Sequence, residues 1–149
     1  MRQWLFGGPK PDLLPALPES LRAALNTLTE RFRTAGIEHA VIGGVAVVMH
    51  GLHRTTKDLD FIVDQGAASR ADAIMVEAGF ERLQKSDRFG NYLMGPLRVD
   101  LLFTAGAHSR GMLARAERVT LRQGSVRLVR PEDIVGLKLQ ALANNPERP

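Results

Sequence analysis

One stretch of the chain, VIGGVAVVMHGLHRTTKDLDFIVD, constrains the fold most, because it sets two adjacent glycines and two alternating aspartates among apolar runs. The apolar residues before Gly43 predict a short strand, and the pair Gly43 and Gly44 predicts a sharp turn into a brief helix. That helix is expected to end at Gly51. The next apolar run, DLDFIVD, predicts a second strand. The stretch therefore predicts a unit of strand, turn, helix and strand.

Two carboxylates share one face of the second predicted strand. Side chains alternate between the faces of a strand, so Asp58 and Asp60 point to the same side, and the alternation continues back through Thr56 and Arg54. Neighbouring carboxylates on a half-buried sheet repel each other unless a cation offsets them. A divalent ion is the simplest cation that would offset both charges, because Mg²⁺ is typically held by one or two carboxylates plus substrate phosphates. The chain has no cysteine, so any metal must use oxygen or imidazole ligands.

A third acid, Asp100, interrupts the otherwise apolar segment LRVDLLF. A carboxylate inside such a strand needs a partner. If this strand lies beside Asp58 and Asp60, three carboxylates would be available to bridge two metal ions about 3.5 to 4 Å apart. The alternative is that Asp100 pairs with Arg98, or with another arginine, at a sheet edge.

The rest of the chain predicts one domain over residues 19–149, preceded by an irregular arm over residues 1–18. The arm holds four prolines, and we expect it to lie outside the core. Helical spacing of apolar residues predicts amphipathic helices in PESLRAALNTLTERFRTAG and AASRADAIMVEAGF. The segments FERLQK, NYLMG and LRVDLLF predict a meander of strands, and GSVRLVR a last strand. SRGMLARAERVTL is compatible with helix or loop. The predicted fold class is α+β, or mixed α/β, with a small mixed twisted sheet flanked by helices.

The last predicted helix, RPEDIVGLKLQALA, has a lysine in the middle of its apolar arc. A lysine does not belong in a core. Either the stem of Lys138 carries its charge to the rim, or its ammonium meets a fixed anion such as a phosphate or an aspartate.

The basic residues comprise sixteen arginines and four lysines, and the net charge is +4. Guanidinium groups suit phosphate recognition, although scattered arginines are also what a GC-rich genome encodes. No apolar run approaches the roughly 20 residues of a membrane helix, and the start of the chain lacks the features of a secretory signal. We expect a soluble cytoplasmic protein with no membrane partner.

The glycine pair, the alternating acids and the distant third acid together resemble the nucleotidyltransferase superfamily with the DNA polymerase β-type fold. The resemblance spans about residues 37–142. It is closest to small prokaryotic members, which include toxins of toxin–antitoxin and abortive-infection pairs. The residues that carry it are Gly43, Gly44, Arg54, Thr56, Asp58, Asp60 and Asp100.

The resemblance implies a role for each of these residues. Asp58 and Asp60 would bind two Mg²⁺ ions, with Mn²⁺ as an alternative, and Asp100 would bind the catalytic metal or accept the proton of the attacking hydroxyl. The backbone at Gly43 and Gly44 would contact the nucleotide's phosphates. Arg54, Thr56 and Lys138 complete the predicted nucleotide-binding set; for Arg54 and Thr56 the alternatives are that they orient the carboxylates or form a cross-strand pair with no catalytic role. A lysine in a comparable helix of similar proteins favours an anion as the partner of Lys138.

The implied activity is transfer of NMP from an NTP to a hydroxyl, with release of pyrophosphate. The acceptor would be RNA such as tRNA, a protein or a small molecule, and a toxin-type enzyme would also have an antitoxin-like partner. The alternative is a non-catalytic nucleotide-binding or protein-interaction module. Similar proteins continue with further helices beyond the lysine-bearing one, so this chain would be a shortened transferase, a minimal one, or a module that a partner completes.

Overall fold

The computed structural model describes residues 16–52, 55–122 and 124–136. Its helices are α1 (Glu19–Thr34), α2 (Gly43–Met49), α3 (Ala68–Glu77) and α4 (Ala107–Arg115). Its strands are β1 (His39–Ile42), β2 (Asp58–Val63), β3 (Glu81–Lys85), β4 (Phe89–Met94), β5 (Leu97–Phe103), β6 (Glu117–Leu121) and β7 (Gly124–Leu128). A short 3-10 turn precedes α3, and residues 131–136 are helical.

The seven strands form one mixed sheet in the order β3-β4-β5-β2-β1-β7-β6. β2 is parallel to β5 and β1 is parallel to β7, while the other neighbours are antiparallel. The predicted mixed sheet flanked by helices is confirmed. Consequently β2 lies between β1 and β5, near the middle of the sheet.

The first helix has the predicted amphipathic pattern, and its apolar stripe is buried. The buried side chains are Leu21, Ala24, Leu25, Leu28 and Phe32. Phe32 meets the Phe61 ring of β2 edge-on, with ring centroids 5.5 Å apart. Because side chains alternate along β2, the even-numbered Asp58 and Asp60 lie on the face of the sheet opposite α1.

The predicted unit of strand, turn, helix and strand is present as β1, α2 and β2. The helix α2 packs over β1 and β2. Its C-terminal end is fixed by His50, whose buried ring donates a 2.7 Å hydrogen bond from Nε2 to the carbonyl oxygen of Val129. A carbonyl oxygen only accepts, so His50 Nε2 carries the proton and donates it. The C-terminal end of α2 is therefore tied to the residue that follows β7.

Three details differ from the sequence-based expectations or complete them. Leu17, in the predicted arm, is only 4% exposed and belongs to the core, so the expectation that the arm lies outside the core is wrong at that residue. The segment SRGMLARAERVTL contains both a helix, α4, and a strand, β6. β2 begins at Asp58, so Thr56 precedes the strand instead of extending it.

Several predictions fall on residues outside the described part of the chain. They concern the arm over residues 1–15, Arg54 and Lys138. Among the described residues, no helix is long and apolar enough to cross a membrane.

Candidate active site

The three predicted acids come together on neighbouring strands. In the β2 and β5 pair, Asp60 stands directly opposite Asp100. On the other side of β2, Asp60 stands opposite Ile42, the last residue of β1 before the glycine turn. On the other side of β5, Asp100 stands opposite Asn91 of β4. These four residues form a row across four strands, which we call the transverse row: Asn91, Asp100, Asp60 and Ile42.

Asp60 is the most strongly perturbed acid of the transverse row. Its pKa is raised to about 7, first by burial and next by the charge of the neighbouring Asp100 carboxyl, which is also close enough to hydrogen-bond it. The charge of Asp58 acts in the same direction, while Arg98 partly opposes it. The carboxyls of Asp60 and Asp100 are thus held together at a place where ionising both of them costs free energy.

Asp100 has partners that stabilise its negative charge. Arg98 Nε lies 3.1 Å from Asp100 Oδ1 and 3.2 Å from Oδ2. Asn91 Nδ2 donates a 2.7 Å hydrogen bond to the same Oδ1. The Asp100 side chain is 28% exposed, so these bonds lie at the boundary between the sheet and solvent. Of the two oxygens, Oδ1 is the more fully engaged.

Gly43 is required by both its backbone and its surroundings. Its φ is +69°, in the left-handed region that favours glycine. A β-carbon built there would overlap Asp60 Oδ2 and lie 3.0 Å from Asp60 Cγ. The Asp60 carboxyl therefore packs directly against the backbone of the turn, which brings the predicted phosphate-contacting glycine and the acids into one place. Gly44 follows in the same half-buried turn.

Asp58 is exposed and stands opposite Arg98 in the β2 and β5 register. Thr56, just before the strand, donates a hydrogen bond from its hydroxyl to the carbonyl oxygen of Asp58 at 3.2 Å. Thr56 thus shapes the backbone that leads into β2. Arg54 and Lys138, also predicted to bind nucleotide, lie outside the described residues.

Residues 18–136 match a family described as uncharacterised nucleotidyltransferases. The chain belongs to this nucleotidyltransferase family. Its fold is similar to that of a proposed nucleotidyltransferase from Thermotoga maritima, with a TM-score of 0.71 and 11% identity over 87% of this chain and 89% of that one. No curated protein sequence matches the chain significantly.

Two antibiotic-modifying enzymes are also similar in fold. ANT(2″)-Ia, solved in complex with adenylyl-2″-tobramycin, has a TM-score of 0.66 and 14% identity over 85% of this chain and 80% of that one. The lincosamide antibiotic adenylyltransferase LnuA, solved with lincomycin bound, has a TM-score of 0.61 and 11% identity over 80% of this chain and 84% of that one. At these identities the likeness supports the fold of this nucleotidyltransferase.

The acids of this nucleotidyltransferase fit a divalent cation in donor type and charge. Asp58, Asp60 and Asp100 supply hard oxygen ligands, and the contact of Asp60 with Asp100 leaves negative charge that a cation would offset. Within residues 16–52, 55–122 and 124–136, however, no group of three or more His, Asp or Glu side chains is already arranged as a metal site.

The two alternatives for Asp100 turn out to be compatible. Asp100 pairs with Arg98, as the simpler reading of the sequence had it. It also lies beside Asp60 on the neighbouring strand, as the metal-site reading required. The guanidinium of Arg98 is thus part of the same site as Asp58, Asp60 and Asp100.

Asn91 is the residue of the transverse row that the sequence reading missed, although a signal for it exists. The two residues Gly95 and Pro96 form a tight connection between β4 and β5, so Met94 pairs with Leu97. Counting outward from that pair sets Asn91 opposite Asp100. Recognising the hairpin turn would have been enough to find the contact.

A groove of about 690 Å³ lies elsewhere in this nucleotidyltransferase, between α1 and the hairpin of β6 and β7. Two of its arginines are already engaged: Arg33 pairs with Glu30, and Arg118 donates to Ser125 Oγ. Its lining includes no residue of the transverse row. It is separate from the candidate active site.

Proposed function

We propose that this nucleotidyltransferase moves a nucleoside monophosphate from an NTP to a hydroxyl acceptor at the transverse row and releases pyrophosphate. The observation that carries the proposal is the contact between Asp60 and Asp100, across β2 and β5, beside the turn at Gly43. Structural stability alone does not account for this contact, because like charges held together at a half-buried site destabilise a fold.

Asp58, Asp60 and Asp100 would hold the metal, with Mg²⁺ as the expected ion and Mn²⁺ as its substitute. When bound, two such ions would offset the charge of the triphosphate and acidify the attacking hydroxyl. Asp100 would serve as a ligand or receive the proton of that hydroxyl. The NTP phosphates would contact the backbone at Gly43 and Gly44.

The remaining predicted nucleotide-binding residues are Arg54, Thr56 and Lys138. Thr56 is engaged with the Asp58 carbonyl, so its part would be to support the loop before β2. Arg54 and Lys138 would supply positive charge to the phosphates.

ATP is the donor that the fold neighbours favour, because two of them are antibiotic adenylyltransferases. They also favour a hydroxyl on a small molecule as the acceptor. A toxin-type enzyme that modifies tRNA and is restrained by an antitoxin-like protein remains the other form of the proposal. Either version would work in the cytoplasm, where NTPs are available and a protein without cysteines needs no oxidising compartment.

The test is transfer of label from each α-³²P-labelled NTP, with Mg²⁺, to total tRNA, to protein, and to aminoglycoside and lincosamide acceptors. We expect label from ATP on one acceptor class with the wild type, and none with Asp100→Asn. Transfer that survives in Asp100→Asn would contradict the proposed site.

A non-catalytic nucleotide-binding module is the second candidate. It is favoured by the engagement of Asp100 with Arg98, and in it the acids would hold a structural metal. Nucleotide binding without transfer to any of the acceptors would support the module over the enzyme.

A further inference from the structure

We propose that Asn91 is a positioning residue of the active site, which fixes the orientation of the Asp100 carboxyl so that Oδ2 is presented to Asp60 and the ligand. The inference rests on the proposed function, because it assigns Asn91 a part in the same site.

The direction of the hydrogen bond is set by chemistry. An ionised carboxylate only accepts hydrogen bonds, so the amide nitrogen of Asn91 must face Asp100, and its amide oxygen must point away. Asn91 Nδ2 lies 2.7 Å from Asp100 Oδ1, a short charge-assisted bond. The bond therefore selects one of the two oxygens of Asp100.

The order of the strands decides where the other oxygen goes. β5 lies between β4, which carries Asn91, and β2, which carries Asp60. Asn91 and Asp60 are both in direct register with Asp100, on opposite sides of it. A bond that draws Oδ1 towards β4 leaves Oδ2 on the side of β2.

Arg98 is less suited to set this orientation by itself. Its Nε is shared almost equally between the two oxygens of Asp100, at 3.1 and 3.2 Å, so it does not distinguish them. Its side chain is also 46% exposed. Asn91, by contrast, has a short side chain anchored in the strand directly opposite Asp100. Arg98 therefore contributes positive charge, and Asn91 sets the orientation of the Asp100 carboxyl.

The test is a double-mutant cycle with Asn91→Ala and Asp100→Asn. The measured quantity is the affinity for Mn²⁺ in the presence of a non-hydrolysable ATP analogue, followed by electron paramagnetic resonance. Asn91→Ala is expected to weaken Mn²⁺ binding about 10-fold in the wild-type background, and to have little effect when Asp100 is already Asn. Equal weakening in both backgrounds would overturn the inference, since a merely structural role for Asn91 does not depend on the charge of Asp100.

A kinetic comparison adds a second readout. We expect Asn91→Ala to lower kcat about 10- to 100-fold, with KM for the NTP changed less than threefold. Asn91→Thr, which retains a donor on a strand-compatible side chain, is expected to recover part of kcat. A drop in the fraction of folded protein that fully explains the lost activity, measured by urea unfolding of each variant, would also overturn the inference.

Failure of the inference and failure of the proposed function give different results. If the wild type binds no Mn²⁺ with the analogue, both are wrong. If the wild type binds Mn²⁺ and Asn91→Ala binds it equally well, only the role of Asn91 is wrong.

Discussion

At the scale of single residues, Gly43 and Gly36 share a backbone conformation but differ in surroundings. Their φ angles are +69° and +70°. A β-carbon at Gly36 would meet no atom within 4 Å, whereas one at Gly43 would overlap the Asp60 carboxyl. A comparison of alanine substitutions at these two glycines therefore separates the cost of backbone strain from the effect of disrupting the site.

Gly36→Ala is expected to lower the free energy of unfolding by about 1 to 2 kcal/mol, the cost of a left-handed alanine. Gly43→Ala is expected to cost more, because it also displaces Asp60, and to abolish the stabilisation by Mg²⁺ and ATP that Gly36→Ala retains. Urea unfolding with and without ligand measures both effects. Equal loss of ligand stabilisation in the two variants would show that the contact with Asp60 is irrelevant.

Asp60 gives a prediction about pH. Its pKa in the folded protein is raised to about 7 from an ordinary value of 3.8, so the folded state holds the proton more tightly than the unfolded state. The contribution of Asp60 to stability in metal-free solution therefore falls as the pH rises from about 4 to 7 and is lowest above that range. Asp60→Asn should raise the free energy of unfolding by about 1 to 3 kcal/mol at pH 8, and the gain should shrink towards pH 4.

The measurement is chemical denaturation of both proteins across this range in the presence of EDTA. Asp58→Asn is the control, since that acid is exposed, and it should give a smaller gain. If Asp60→Asn is less stable than the wild type at pH 8, the ionised Asp60 carboxyl does not destabilise the folded state, and the prediction is wrong.

At the scale of elements, one buried acid links α3 to two strands. Tyr92 of β4 donates its hydroxyl proton to Asp72 Oδ1 at 2.7 Å, and Arg82 Nε of β3 donates to the same oxygen at 2.8 Å. The bonds from Arg82, together with that from Tyr92, hold the pKa of Asp72 below its usual range. This cluster links α3 and β3 to β4, the strand that also carries Asn91.

Asp72→Asn is expected to lower the free energy of unfolding by about 2 kcal/mol at pH 7, and Tyr92→Phe by about 1 kcal/mol. Because the folded-state pKa of Asp72 is depressed, its contribution is present above the unfolded value of 3.8 and is lost as the pH falls below it. The difference between the wild type and Asp72→Asn should therefore narrow below about pH 4. A difference that stays constant from pH 7 to pH 3 would mean that the charge of Asp72 plays no part.

The elements also show which features a sequence can reveal. The helix α1 was predicted down to its buried stripe, because the spacing of Leu21 to Phe32 is a local property. The pairing of β2 with β5 is not local, since these parallel strands are joined through α3, β3 and β4. The residues Asp58 and Asp60 indicated an acidic site, but only the sheet order brings Asp100 beside them. To predict that Asn91 lies opposite Asp100, the register of the hairpin formed by β4 and β5 is needed as well.

At the scale of the whole molecule, the candidate site depends on the order of the strands in the sheet. The transverse row takes one residue from each of four adjacent strands, and the glycine turn extends from the last of them. A ligand that bridges these strands stabilises the folded state by mass action. Binding of metal and nucleotide at this row would therefore raise the melting temperature of the protein.

The most direct test of the central claim, that the aspartates of β2 and β5 form the metal and nucleotide site, is thermal melting with Mg²⁺ and each NTP. At ligand concentrations about 100 times Kd, binding adds about 2.7 kcal/mol, which corresponds to a rise in Tm of about 5 to 10 °C for a chain of this size. We predict this rise for the wild type with at least one NTP, and no rise for the double variant Asp58→Ala with Asp60→Ala. An equal rise in the double variant, or none with any NTP in the wild type, would contradict the claim.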